Sequence, residues 1–156
     1  MKNYTSYDLI EWGKPFEKSQ HALPEPTLSE VLIRVTAAGL CHSDLHVQKG
    51  YMDLGEEGRL TFAERGAQLP MTFGHEIAGF VEAVGDKVKN VSIGQQVLVF
   101  PWIGCGDCLA CNENRESDCS AMRIIGLKQK GGFATHCLIE NEKFLVNIDG
   151  LDAADV

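Results

Sequence analysis

The chain has 156 residues, 44% of them apolar and 23% charged, with a formal net charge of −8. That length supports one domain with its own core, and the composition is ordinary for a globular protein. The acidic balance disfavours nucleic acid and anionic membrane partners, and no apolar run is long enough to span a bilayer. The start, Met1 to Thr5, has no apolar signal-peptide core, so six cysteines fit a reducing cytoplasm, where clustered thiols more often bind metal than pair.

Tyr4 to Trp12 mixes aromatic, β-branched and polar residues and reads as a first strand, broken at Gly13-Lys14-Pro15. Phe16 to His21 reads as a second. Leu23 to Thr27 is a turn, because each proline fixes its own φ and restricts its predecessor. Glu30 to Leu40 is the clearest strand, with Val31, Ile33 and Val35 alternating against Leu32, Arg34 and Thr36. Asp44 to Gln48 suits a short helical turn stopped near Gly50.

Tyr51 to Leu69 has weak periodicity and reads as an exposed loop, with Leu60 to Arg65 as one helical turn. Ile77 to Gly85 is a strand, and Gly79 inside it marks a bulge or a close approach of backbone. Asp86 to Ile93 is a turn region. Gln96 to Phe100, Phe133 to Glu140 and Phe144 to Ile148 are further strands. Leu151 to Val156 suits the start of a helix. Many short strands between turn signals indicate a mainly all-β barrel or sandwich. No G-x-G-x-x-G dinucleotide fingerprint is present: Gly79 and Gly85 do not match it.

Cys105, Cys108, Cys111 and Cys119 form C-x2-C-x2-C-x7-C. Thiolates are soft ligands, and four of them close a tetrahedral structural zinc site. Asp107, Asn112, Asn114 and Ser117 suit the tight turns between them. Two disulfides, or thiols close together by chance, are the plainer alternatives. Cys41 and His75-Glu76 each lie at a strand end. Cysteine, histidine and carboxylate are zinc ligands, and an open catalytic site uses three protein ligands. Taken alone, a buried cysteine and a satisfied core histidine explain that pairing as well.

Gly39-Leu40-Cys41-His42-Ser43-Asp44-Leu45-His46, then Gly74-His75-Glu76-Ile77-Ala78-Gly79, then Val84-Gly85, then the four-cysteine segment, occur in one order. This order resembles the N-terminal, GroES-like catalytic domain of the zinc-dependent medium-chain alcohol dehydrogenases. The resemblance covers nearly all of the chain, 1–156, with a zinc lobe at about 101–123, and implies a GroES-like, partly open β-barrel. By that resemblance Cys41 and His75 match catalytic-zinc ligands, and Glu76 the acid that stays beside the zinc or joins it. Asp44 matches the carboxylate that orients the ligating histidine. Ser43 matches the hydroxyl that bonds the substrate oxygen, and His46 the residue that passes the proton to solvent. His42 matches a position touching the cofactor pyrophosphate. Cys105, Cys108, Cys111 and Cys119 match the structural zinc lobe.

The resemblance further implies a small alcohol or carbonyl substrate, NAD or NADP in the full-length enzyme, and a homo-oligomer at full length. The Rossmann cofactor domain that follows in relatives is absent from this chain, as is their third catalytic-zinc ligand. The expectation is a domain fragment, inactive alone. Cys137 sits within a strand and reads as a core residue rather than a substitute ligand. Tyr51, Met52 and Trp102 are candidate pocket residues, though Trp102 equally suits packing against the zinc lobe. A non-catalytic zinc-stabilised module is the competing function; a polyol, or a thiol adduct of formaldehyde, is a competing substrate.

Overall fold

The computed structural model describes residues 2–153. Its elements in chain order are β1 (Asn3–Leu9), β2 (Glu17–Ala22), β3 (Val31–Gly39), α1 (His42–Lys49), β4 (Tyr51–Asp53), β5 (Arg59–Thr61) and β6 (Met71–Thr72). They continue with β7 (Glu76–Val84), β8 (Gln96–Val99), β9 (Trp102–Ile103), α2 (Leu109–Asn112), β10 (Arg123–Ile124), β11 (His136–Ile139) and β12 (Leu145–Asn147). Most of the regular structure is therefore strand, and the architecture is a partly open β fold rather than a closed barrel. A five-stranded sheet runs β11-β3-β7-β8-β12, and a three-stranded sheet runs β2-β1-β6. Each ladder between these strands is antiparallel.

Two apolar clusters hold this arrangement. Val31 and Ile33 of β3, Ile77 and Val81 of β7, and Val97 and Val99 of β8 form the centre of the larger one. Their alternation along each strand sends them to one face. Cys137 is 3% exposed in this core, and burial pushes its thiol up to about 12, as a structural thiol requires. The smaller cluster joins Leu9, Val47, Phe62, Ala67 and Phe73. Its Phe73 lies two residues before His75.

Several elements differ from the sequence reading. Tyr51 to Leu69 is not simply an exposed loop. It opens with the β4–β5 hairpin, and Phe62 and Ala67 are buried in the smaller core. Leu60 lies in β5, so the helical turn expected over Leu60 to Arg65 starts later, as hydrogen-bonded turns in which the Arg65 and Gly66 N–H groups donate to the Phe62 and Ala63 carbonyls. Trp12 leaves β1 and packs beside Gly50 and the smaller core. The strand expected from Phe133 is regular only from His136, although Ala134 bridges to Ser6. The C-terminal helix expected over Leu151 to Val156 extends outside the described residues.

Gly79 is a case of close backbone approach. A Cβ there would lie 2.3 Å from the Arg34 carbonyl oxygen, so no side chain fits. The register of β3 on β7 shifts between Val35 and Ala37, which places a bulge opposite this point.

Candidate metal centres and cavity

β3 ends at Gly39, and Cys41 is the N-cap of α1. Gly50 ends the helix in the left-handed conformation, at φ 88°. On the paired strand, β7 begins at Glu76, directly opposite Gly39. A Cβ at Gly39 would lie 2.0 Å from Glu76 Oε2, so the glycine makes room for this carboxylate. The antiparallel β3–β7 ladder thus brings Cys41 and His75-Glu76 together across a long stretch of sequence.

One ligating atom each from Cys41, His75 and Glu76 lie within 4.8 Å of one another. Ser43 Oγ is 3.3 Å from His75 Nε2, and Asp44 Oδ1 is 3.5 Å from His75 Nδ1. Asp44 is buried, and its Oδ2 accepts a hydrogen bond from the Cys41 backbone N–H at 3.0 Å. Hydrogen bonding to Asp44 draws the His75 imidazole up to about 9. Hydrogen bonds from the Ser43 hydroxyl and backbone N–H hold the Cys41 thiol below its usual value. A thiolate-leaning cysteine, an imidazole anchored through its Nδ1 side, and a carboxylate are a donor set that fits a zinc-type cation.

His42 and His46 stack on the exposed side of α1, with ring centroids 4.7 Å apart. A cavity of about 260 Å³ adjoins Ser43 and His75. Met52 and Trp102 line it, together with Phe62, Ile124 and Leu127. Tyr51 does not line it. Its ring lies 4.4 Å from the Arg59 guanidinium, on the other side of the hairpin. The sequence reading named no pocket residue between Cys119 and Gly131. The apolar run Ile124-Ile125, interrupted only by Gly126 before Leu127, was the available signal.

The four cysteines of the lobe form the second group. Their sulfurs all lie within 4.8 Å of one another. Cys108 and Cys111 sulfurs are 3.5 Å apart, and those of Cys105 and Cys111 3.9 Å. Both separations are too long for a disulfide. They match the edge of a tetrahedron, roughly 3.8 Å for a Zn–S bond of about 2.3 Å. Backbone N–H groups of Asp107 and Cys108 bring the Cys105 thiol down to about 6. The Gly106 N–H favours a Cys111 thiolate, yet burial and the neighbouring sulfurs push that thiol up to about 11. Four thiolates this close repel one another, and a divalent cation removes that repulsion. Glu116 is buried within the lobe and bonds Lys143 at 2.7 Å, tying the lobe to the segment before β12.

A partly open antiparallel β fold, with a four-cysteine lobe on one flank and a Cys-His-Glu cluster at the end of the β3–β7 ladder, places the chain in the GroES-like class. The chain belongs to the alcohol dehydrogenase GroES-like domain family, whose profile matches residues 27–150. It is 40% identical over 148 residues to an NAD-dependent alcohol dehydrogenase of Sulfurisphaera tokodaii, covering 94% of this chain and 41% of that protein. The structure of a D-arabinose dehydrogenase from Sulfolobus solfataricus superposes with a TM-score of 0.81 at 30% identity, over 98% of this chain and 42% of the other. A cobalt- and zinc-bound thermostable alcohol dehydrogenase from Pyrobaculum aerophilum superposes with a TM-score of 0.80 at 26% identity, over 99% and 45%. The chain therefore spans less than half the length of these proteins.

Proposed function

We propose that the chain is the catalytic-domain portion of a zinc-dependent, NAD(P)-linked alcohol dehydrogenase or carbonyl reductase. The observation that carries this reading is the convergence of Cys41, His75 and Glu76 beside a cavity that also exposes Ser43. A purely structural zinc module needs no such cavity. Cys41, His75 and Glu76 would hold one zinc, and Cys105, Cys108, Cys111 and Cys119 a second. Zinc bound at the first site would supply Lewis acidity for the oxygen of an alcohol or carbonyl compound. A nicotinamide cofactor would supply the hydride chemistry, because no side chain can hold a hydride.

The chain's own residues position and move protons. Asp44 fixes the His75 ring from its Nδ1 side, which leaves Nε2 for the metal. Ser43 Oγ, close to that nitrogen, is placed to bond a substrate oxygen and relay its proton, accepting it as the serine's own hydroxyl hydrogen leaves. His46, three residues on along α1, passes the proton to solvent, and His42 at the exposed start of α1 meets the cofactor. Met52 and Trp102 give the cavity apolar walls. Six free thiols suit a reducing cytoplasm.

The test uses the protein at its encoded length, loaded with zinc and offered alcohols with NAD or NADP. Formation of reduced nicotinamide is expected, with loss of turnover in Cys41→Ser while the zinc of the lobe is retained. Unchanged turnover in that variant, or none in the parent with any alcohol or carbonyl compound, would overturn the reading.

A further inference from the structure

The cavity beside Ser43 and His75 has a neighbour. A second cleft, of about 360 Å³, lies between the β4–β5 hairpin and the cysteine lobe. The two share Met52, Phe62, Ile124 and Leu127 as walls. The second cleft adds apolar surface from Leu60 and Met122 and then reaches Arg65 and Lys128. Both cations are exposed. No ion pair engages either one among the described residues, in a chain whose net charge is −8. Two adjoining clefts with four apolar walls in common, one beside a zinc-type site and the other reaching two cations that no ion pair engages among the described residues, have a definite chemical complement.

We propose that Met52, Phe62, Ile124 and Leu127 separate the reacting end of a substrate from its tail, and that Arg65 and Lys128 receive an anionic group on that tail. The substrate class is an alcohol or carbonyl compound joined by an apolar stem to a carboxylate or phosphate. This rests on the dehydrogenase reading for the reacting end. The distal site itself stands on the shared walls and the unpaired cations. Apolar walls bind the stem without directional demands. The guanidinium forks onto a carboxylate or phosphate, while the ammonium acts as a point charge.

Binding separates this proposal from catalysis. Isothermal titration of the zinc-loaded protein would compare 8-hydroxyoctanoate, the monophosphate of octane-1,8-diol, and octane-1,8-diol itself. The three share one stem and differ only at the far end. At least one anionic compound should bind about three- to tenfold more tightly than the diol, the range expected when two exposed cations each add a modest attraction. The preferred anion tells carboxylate from phosphate. The double variant Arg65→Gln/Lys128→Gln should abolish the preference and leave diol affinity unchanged, and added salt should weaken only the anionic compounds. Equal affinity for all three compounds, no binding of any, or a preference that survives the double variant would overturn the proposal. Failure of the dehydrogenase reading appears elsewhere, as absent turnover with anion preference intact.

Discussion

Asp44 holds two neighbours at once: its Oδ1 lies 3.5 Å from His75 Nδ1, and its Oδ2 accepts the Cys41 backbone N–H at 3.0 Å. One buried carboxylate thus sets both the start of α1 and the ring of His75. The orientation of the Cys-His-Glu cluster depends on a residue that offers it no ligand. Asp44→Asn should weaken zinc at this cluster about 10- to 100-fold, with the zinc of the cysteine lobe unchanged. Competition against a chelator, following the two sites separately, checks this.

The cysteine lobe should behave independently of that cluster. Cys111→Ala removes a buried sulfur that sits 3.5 Å from Cys108 and 3.9 Å from Cys105. It should release the lobe's zinc and lower stability, because the binding free energy of a structural zinc is also folding free energy. Cys137→Ala lies in the larger core, outside both clusters, and should cost stability through its cavity with zinc content intact. Zinc content and thermal unfolding of the two variants distinguish the roles.

Much of the site was legible because ligand chemistry is local in sequence. C-x2-C-x2-C-x7-C can be read without tertiary contacts, whereas Cys41, Ser43, Asp44 and His75 stood out only through the family resemblance, and it is the β3–β7 pairing that brings them together. The pocket was less legible. Neighbouring residues on a strand point to opposite faces, so Tyr51 and Met52 cannot both line one cavity. The pairing of Met52 with Leu60, which decides the matter, joins two three-residue strands with weak alternation. Phe62 reads as part of a polar excursion until Leu9 and Phe73, distant in sequence, close over it. The two-residue strands β9 and β10 likewise exist only through their pairing with each other.

A buried carboxylate outside both metal clusters supports the segment before His75. Asp8 Oδ1 accepts from Thr72 Oγ1 at 2.6 Å, and Asp8 Oδ2 lies 3.1 Å from His21 Nε2. Burial opposes its charge, but hydrogen bonds from Thr72, Ser19, Ser6 and His21 outweigh burial and hold the carboxyl below its ordinary value. A depressed folded-state value means that the stabilisation is present above the unfolded value of about 3.9 and is lost as pH falls through the lower folded value. Asp8→Asn should therefore cost about 1.5–3 kcal/mol at neutral pH, and the gap between variant and parent should close below about pH 3.9. Denaturant unfolding of both proteins at several pH values tests the sign.

Gly79 has no room for a methyl group, with the Arg34 carbonyl oxygen 2.3 Å from where its Cβ would stand. The obstruction is backbone at the centre of the five-stranded sheet, so it cannot rotate away. Gly79→Ala should destabilise by about 1–3 kcal/mol. Gly13→Ala has open space around it and should cost less, through its positive φ alone. Melting temperatures of the pair separate packing from conformation.

The central claim is that this fold holds two distinct metals, one closed within the lobe and one at the edge of the cavity. Native mass spectrometry of the zinc-saturated protein tests it most directly. Two zinc ions are expected in the parent, one in Cys41→Ser/His75→Ala, and one in Cys111→Ala. A single zinc in the parent, with no change on removing Cys41 and His75, would contradict the account and leave only the lobe as a metal site.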